Sequence, residues 1–258
     1  MKFLWPIFFL SFPLLLNSKP LETINPPIAA KKDKVLLHHG DERIDSFYWL
    51  RDKENPEVLK YLMDENQYTK NKMEPLKNLK NKIFEEMVSR LGKQEDTYPY
   101  QMGNFEYFSK YKQDLEYPIY YRAPLKEGKT EEILNPNQLS KGHDFFNLTS
   151  IRISPDETKV GFLIDTTGRN FFNLFIKDLR SGVIKETDVK DIAENFEWAN
   201  DNKTIFYSKQ DPETLRWEKI FRYFLPSKTH TLIMHELDEK FWVNIRKSKT
   251  NSFLFFET

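Results

Sequence analysis

Five histidines, at positions 38, 39, 143, 230 and 235, are the only imidazoles in this chain of 258 residues, and there is no cysteine. Thiol nucleophiles, cysteine zinc sites and disulfide frameworks are therefore excluded. None of the histidines falls in an H-E-x-x-H pattern. His38 and His39 precede Gly40-Asp41, a turn dipeptide, and read as structural or hydrogen-bonding residues. His230 and His235 are five apart in an expected strand, so alternation sends them to opposite faces and away from a shared metal. The eight glycines include no pair four apart, which removes a G-x-S-x-G nucleophile elbow, and no pair two apart, which removes a dinucleotide fingerprint. There is no P-loop either. Serine, histidine and aspartate all occur, but no local spacing marks a triad. The sequence thus assigns no catalytic, cofactor-binding or metal-ligating residue. Asn147-Leu148-Thr149 is a formal glycosylation acceptor, meaningful only in a eukaryotic secretory pathway.

The charge balance is even, with 39 basic and 39 acidic side chains. It carries no electrostatic footprint for nucleic acid. A locally basic stretch over 70–93 reads as a solvated helix face. Aromatic residues make up 15% of the chain, too many for a disordered polypeptide.

Such a chain needs elements that use its aromatic residues. Residues 1–18 stand apart: Met1-Lys2 is followed by an apolar run from Phe3 to Leu16, broken by Pro6 and Pro13. That run is shorter than the roughly 20 residues a membrane helix needs. It reads as a signal peptide directing export to the periplasm or medium, with an uncleaved membrane anchor as the alternative. Residues 19–34 form a proline- and lysine-rich linker. Residues 35–95 form a helical segment. Asn55-Pro56 caps one helix, expected to run to about Met73. Pro75 opens a second, whose apolar stripe is Leu76, Leu79, Ile83, Met87 and Leu91, closed by Gly92.

From about Thr97 the period becomes two. Ser150 to Ser154, Lys159 to Asp165, Asn173 to Leu179 and Val183 to Glu186 make four short antiparallel strands. The unit recurs about 45 residues later: Asp156 answers Asp201, each in a turn suited to Asx chemistry. A third copy starts at Phe241 with a second strand at Ser252–Phe256, and a divergent, partial copy lies at 97–135. Four-stranded units at this period are β-propeller blades, whose aromatic residues pack one blade on the next. The fold class is mainly β with an N-terminal helical segment. It is a partial propeller of about three to four blades over 96–258, ending inside a blade.

The run from His39 through Phe47-Tyr48-Trp49-Leu50-Arg51-Asp52, and then Asn55 to Thr69, resembles the N-terminal segment of the prolyl oligopeptidase family of serine peptidases, nearest to oligopeptidase B. The segments Tyr117–Pro124, Ile153–Gly168 and Phe196–Asp211 extend the likeness in the same order. The resemblance implies a seven-bladed propeller set on an α/β-hydrolase domain, with the helical segment packed on the hydrolase. The propeller would restrict entry to short peptides, and cleavage would follow Arg or Lys. Every catalytic position of that family lies in the hydrolase domain, which is absent here. The resemblance therefore makes this chain the N-terminal part of a longer peptidase, inactive alone, whose partners are the hydrolase domain and peptide substrates. It implies no cofactor, metal or nucleic acid. The competing reading is a stand-alone exported propeller module that binds a protein or peptide.

Overall fold

A computed structural model describes residues 25–91, 96–113 and 115–258. The expected signal peptide, the start of the linker and the Gly92 cap lie outside the described residues. The chain divides into two compact units, Met1–Gly92 and Lys93–Thr258.

In the first unit, β1 (Lys34–His38) and β2 (Asp41–Asp45) form an antiparallel hairpin. His39 and Gly40 turn it with φ of 52° and 83°. Helix α1 (Pro56–Met73) begins as its sequence dictates: the Asn55 side chain accepts from the Glu57 amide, and Pro56 fills the first helical position. Helix α2 spans Lys77–Arg90, two residues later than Pro75 suggests. A 3-10 turn over Glu74–Leu76 joins the helices, because a proline ring cannot continue the preceding α-helical bonding. Only Val58 is buried on the two helices. The stripe from Leu76 to Leu91 is between 45% and 74% exposed. No described helix is long and apolar enough to cross a membrane.

The second unit is a series of antiparallel sheets. Blade one orders β3 (Tyr100–Met102), β4 (Phe105–Lys110), β5 (Ile119–Pro124) and β6 (Glu131–Leu134). It is a whole four-stranded blade, where the sequence suggested a partial one. Its outer members β3 and β6 are three and four residues long, too short to show a period of two. A short helix, α3 (Pro136–Leu139), follows. Blade two comprises β7 (Asn147–Ile153), β8 (Lys159–Asp165), β9 (Asn173–Asp178) and β10 (Ile184–Glu186). Strand β7 starts three residues earlier than its alternation suggests. A bulge between Thr149 and Arg152, with Ser150 at φ 50°, breaks the pattern there. Blade three comprises β11 (Phe196–Trp198), β12 (Thr204–Gln210), β13 (Trp217–Phe224) and β14 (Thr229–His235). The last sheet pairs β15 (Asn244–Lys247) with β16 (Leu254–Glu257).

Each seam between successive sheets has its own apolar cluster, which accounts for the aromatic content. Tyr107, Ile133, Phe146, Phe162 and Ile164 fill the first. Leu163, Leu174, Phe196, Trp198, Ile205 and Tyr223 fill the second, and Ile220, Val243 and Ile245 the third. Neighbouring residues of one strand serve opposite seams, as Phe162 and Leu163 do on β8. Gly161 lies where the second seam is tightest. A Cβ there would stand 2.9 Å from the Phe196 ring and 3.3 Å from the Trp198 indole nitrogen.

Candidate functional site

In each sheet of the second unit, the turn between the first two strands holds one residue in the left-handed region. These are Gly103, Glu157, Asn202 and Asn251, with φ between 58° and 59°. Side chains then join turn to turn. The Glu157 carboxylate accepts from the Asn104 backbone amide at 2.9 Å and the Asn104 side chain at 2.8 Å. Asn202 Oδ1 accepts from the Asp156 amide at 2.8 Å, and Asn200 Nδ2 donates to the Asn251 carbonyl at 2.7 Å. Arg122 adds a bond to the Glu157 carbonyl at 2.6 Å while pairing with Glu131. The two expected Asx turns are part of this ladder. Asp156 Oδ1 accepts from the Ser154 hydroxyl and from the Thr158 amide and hydroxyl. Asp201 accepts from the Lys203 and Thr204 amides and the Thr204 hydroxyl.

Beside these turns runs a cleft of about 960 Å³. Its wall takes residues from the first strand of every sheet in the second unit, including Tyr100, Arg152, Trp198 and Lys247. Arg152 Nε pairs with Glu197 at 3.1 Å, and the Trp198 indole donates to the Arg152 carbonyl at 3.1 Å. Lys247 Nζ donates to the Trp198 carbonyl at 3.0 Å. Burial lowers the Lys247 ammonium from its ordinary pKa of 10.5, and Glu197 opposes that shift. Tyr107 also lines the cleft, is 2% exposed, and its hydroxyl has no hydrogen-bond partner among the described residues. Burial pushes this phenol up to about 12, with the Glu157 charge adding and Arg122 opposing. It is a neutral donor at any physiological pH.

The histidines take no part in the cleft. His38 and His39 stand with ring centroids 4.2 Å apart at the β1–β2 turn. The expectation for His230 and His235 needs correction. The β13–β14 register skips Ile233, placing His230 opposite Tyr223 and His235 opposite Lys219. Those partners are four apart, so the bulge returns both histidines to one face, about 13 Å apart along the strand. His230 Nδ1 bonds the Tyr207 hydroxyl at 2.9 Å, and His235 lies 3.8 Å from Glu218. Among the described residues no group of three or more His, Cys, Asp or Glu could hold a metal ion. Asn147 of the formal glycosylation acceptor opens β7, and Thr149 bonds Glu194. Alternation could not have found the cleft: its wall assembles residues around turns 45 to 54 positions apart.

Comparison with known proteins fits this architecture to one family. Residues 26–258 match the family model described as prolyl oligopeptidase, N-terminal beta-propeller domain. The chain belongs to the prolyl oligopeptidase family. Among family relatives, dipeptidyl aminopeptidase BI of Pseudoxanthomonas mexicana is 31% identical over 250 residues, covering 89% of this chain and 35% of the relative. Protease 2 of Moraxella lacunata is 34% identical over 239 residues, covering 89% and 34%. Oligopeptidase B from Leishmania major has the same fold over 90% of this chain and 36% of its own, with a TM-score of 0.80 at 23% identity. Oligopeptidase B from Trypanosoma brucei gives 0.75, covering 90% and 35%. The chain therefore spans about a third of the length of the relatives it matches.

Proposed function

We propose that this chain is the propeller part of an oligopeptidase B-like serine endopeptidase. In the longer protein a hydrolase domain would cleave short peptides after Arg or Lys, with a serine activated by histidine. The observation that carries this reading is the family match over residues 26–258, joined to a span of only about a third of each relative. Among the described residues the second unit is built from propeller sheets, and its cleft holds no serine beside a histidine. The 258 residues by themselves are therefore expected to leave an Arg- or Lys-based chromogenic peptide uncut. Turnover that survives purification and is blocked by a serine-directed phosphonate would refute that. One relative is named a dipeptidyl aminopeptidase. The longer protein should therefore be assayed with both an amino-blocked peptide and a free-amine dipeptide substrate. Preference for the free amine would overturn the endopeptidase assignment.

We further propose export directed by residues 1–18, on the basic start and short apolar run alone. Cell fractionation with N-terminal sequencing tests it. Recovery from the cytosol with Met1 intact would overturn it.

A further inference from the structure

We infer that Lys247 is a modification site, whose amine takes up carbon dioxide as a carbamate held by Arg152. Lys247 ends β15, is half-buried and lines the cleft. Its Nζ makes one hydrogen bond, to the Trp198 carbonyl at 3.0 Å. No carboxylate pairs with it among the described residues. Glu197, the acid whose charge reaches it, is paired with Arg152 instead. An ammonium drawn away from water without a carboxylate partner is costly. The side chain therefore gains by becoming neutral, the direction in which burial already drives it.

Arg152 supplies the other half of the site. Its Nε bonds Glu197 and its Nη1 the Ile151 carbonyl, which leaves Nη2 with no hydrogen bond among the described residues. Trp198 holds both cations on one wall: its indole donates to the Arg152 carbonyl, and its own carbonyl receives Lys247. In the step, the neutral amine nitrogen attacks the carbon of CO2. The N–C bond forms, one C=O π pair moves onto oxygen, and a proton passes from nitrogen to water. Lys247 changes from a cation to an anion and offers carboxylate-type oxygens to the guanidinium. The cleft of about 960 Å³ leaves room for the gas to reach the amine. An aldehyde also needs a neutral amine, but its imine carries no anion for Arg152 to hold, and the open Nη2 decides for carbon dioxide. Lys177 is lowered by burial too, yet it does not line the cleft, which makes it an internal control.

The inference does not rest on the peptidase reading, and its test involves no hydrolysis. The 258-residue chain is equilibrated with isotopically labelled bicarbonate at mildly alkaline pH. Carbamates are then trapped as ethyl esters with triethyloxonium and located by mass spectrometry of the digest. Lys247 should carry the label about tenfold above Lys177. Arg152→Gln should lower the Lys247 label about tenfold. Glu197→Gln removes the opposing charge and frees Arg152, and should raise the label about twofold or more. Near-ultraviolet circular dichroism checks that the seams stay packed in each variant; if one does not fold, the Lys247 to Lys177 ratio in the unaltered chain decides. Absence of label on Lys247 would overturn the proposal. So would equal label on Lys177, an unchanged label in Arg152→Gln or no rise in Glu197→Gln. Reductive trapping of acetaldehyde on Lys247 with no trapped carbamate there would overturn the assignment to carbon dioxide.

Discussion

Single side chains set how this propeller responds to pH. Burial alone would raise the carboxyls of Asp156 and Asp201. The hydrogen bonds and nearby lysines of their turns prevail and hold both below the ordinary 3.8. Asp178 and Asp211 are lowered too, chiefly by the backbone amides of Ser181 and Thr214. A carboxylate depressed on folding contributes stability above its unfolded pKa and loses it as pH falls through the folded value. The urea midpoint should therefore be flat down to about pH 4 and drop below 3.8. Asp201→Ala should shrink that acid drop and cost about 1 kcal/mol at neutral pH, because the turn is largely solvated. The alkaline side has the opposite cause. Burial raises Tyr107 and Tyr207 from 10.0 to about 12. Their unfolded forms ionise first, so stability should fall as pH rises from 10.0 toward about 12. Tyr107→Phe should flatten that fall. It also removes a buried hydroxyl with no partner, so it should stabilise the neutral protein by about 1 kcal/mol in urea unfolding.

At the scale of elements, the seams carry the stability and the turn ladder aligns them. Gly161 is the position where β8 admits the Phe196 and Trp198 side chains of the next blade. Gly161→Ala forces rings apart in a packed seam and should cost about 1–3 kcal/mol, read from the shift in urea midpoint. Glu157→Ala removes the carboxylate joining blade two to the Asn104 turn. Exchange of the amides of β4 should quicken while those of β12 keep their protection. Equal quickening in both strands would mean that the ladder is not a set of separate latches. Helix α1 was legible nearly to the residue, because Asn55 and Pro56 act locally. Blade one was not, because β3 and β6 form through pairing with longer neighbours rather than through a pattern of their own.

The whole molecule presents apolar surface that its own described residues do not cover. Trp242, Phe253 and Phe255 in and around the last sheet are 55%, 65% and 42% exposed, and the α2 stripe is equally open. Patches of this kind mark interaction surfaces. The purified chain should bind an apolar dye such as anilinonaphthalene sulfonate while keeping near-ultraviolet circular dichroism from its packed seams. Dye binding without that aromatic signal would mean that the seams do not form.

The sequence by itself determined the class of the molecule: a helical segment, then repeated four-stranded units at a spacing of about 45 residues. Capping, alternation and Asx turns are local chemistry, and the run from His39 to Asp52 carried the resemblance to the family that residues 26–258 confirm. Only the tertiary structure decided that blade one is whole, that a bulge at Ile233 brings two histidines to one face, and that four left-handed turns join into a ladder. It also decided that Tyr107 and Arg152, which no spacing in the chain connects, face one cleft. The physical reason is the same in each case. Short strands, bulges and cleft walls owe their place to partners distant in the chain, and a sequence pattern records only what near neighbours impose.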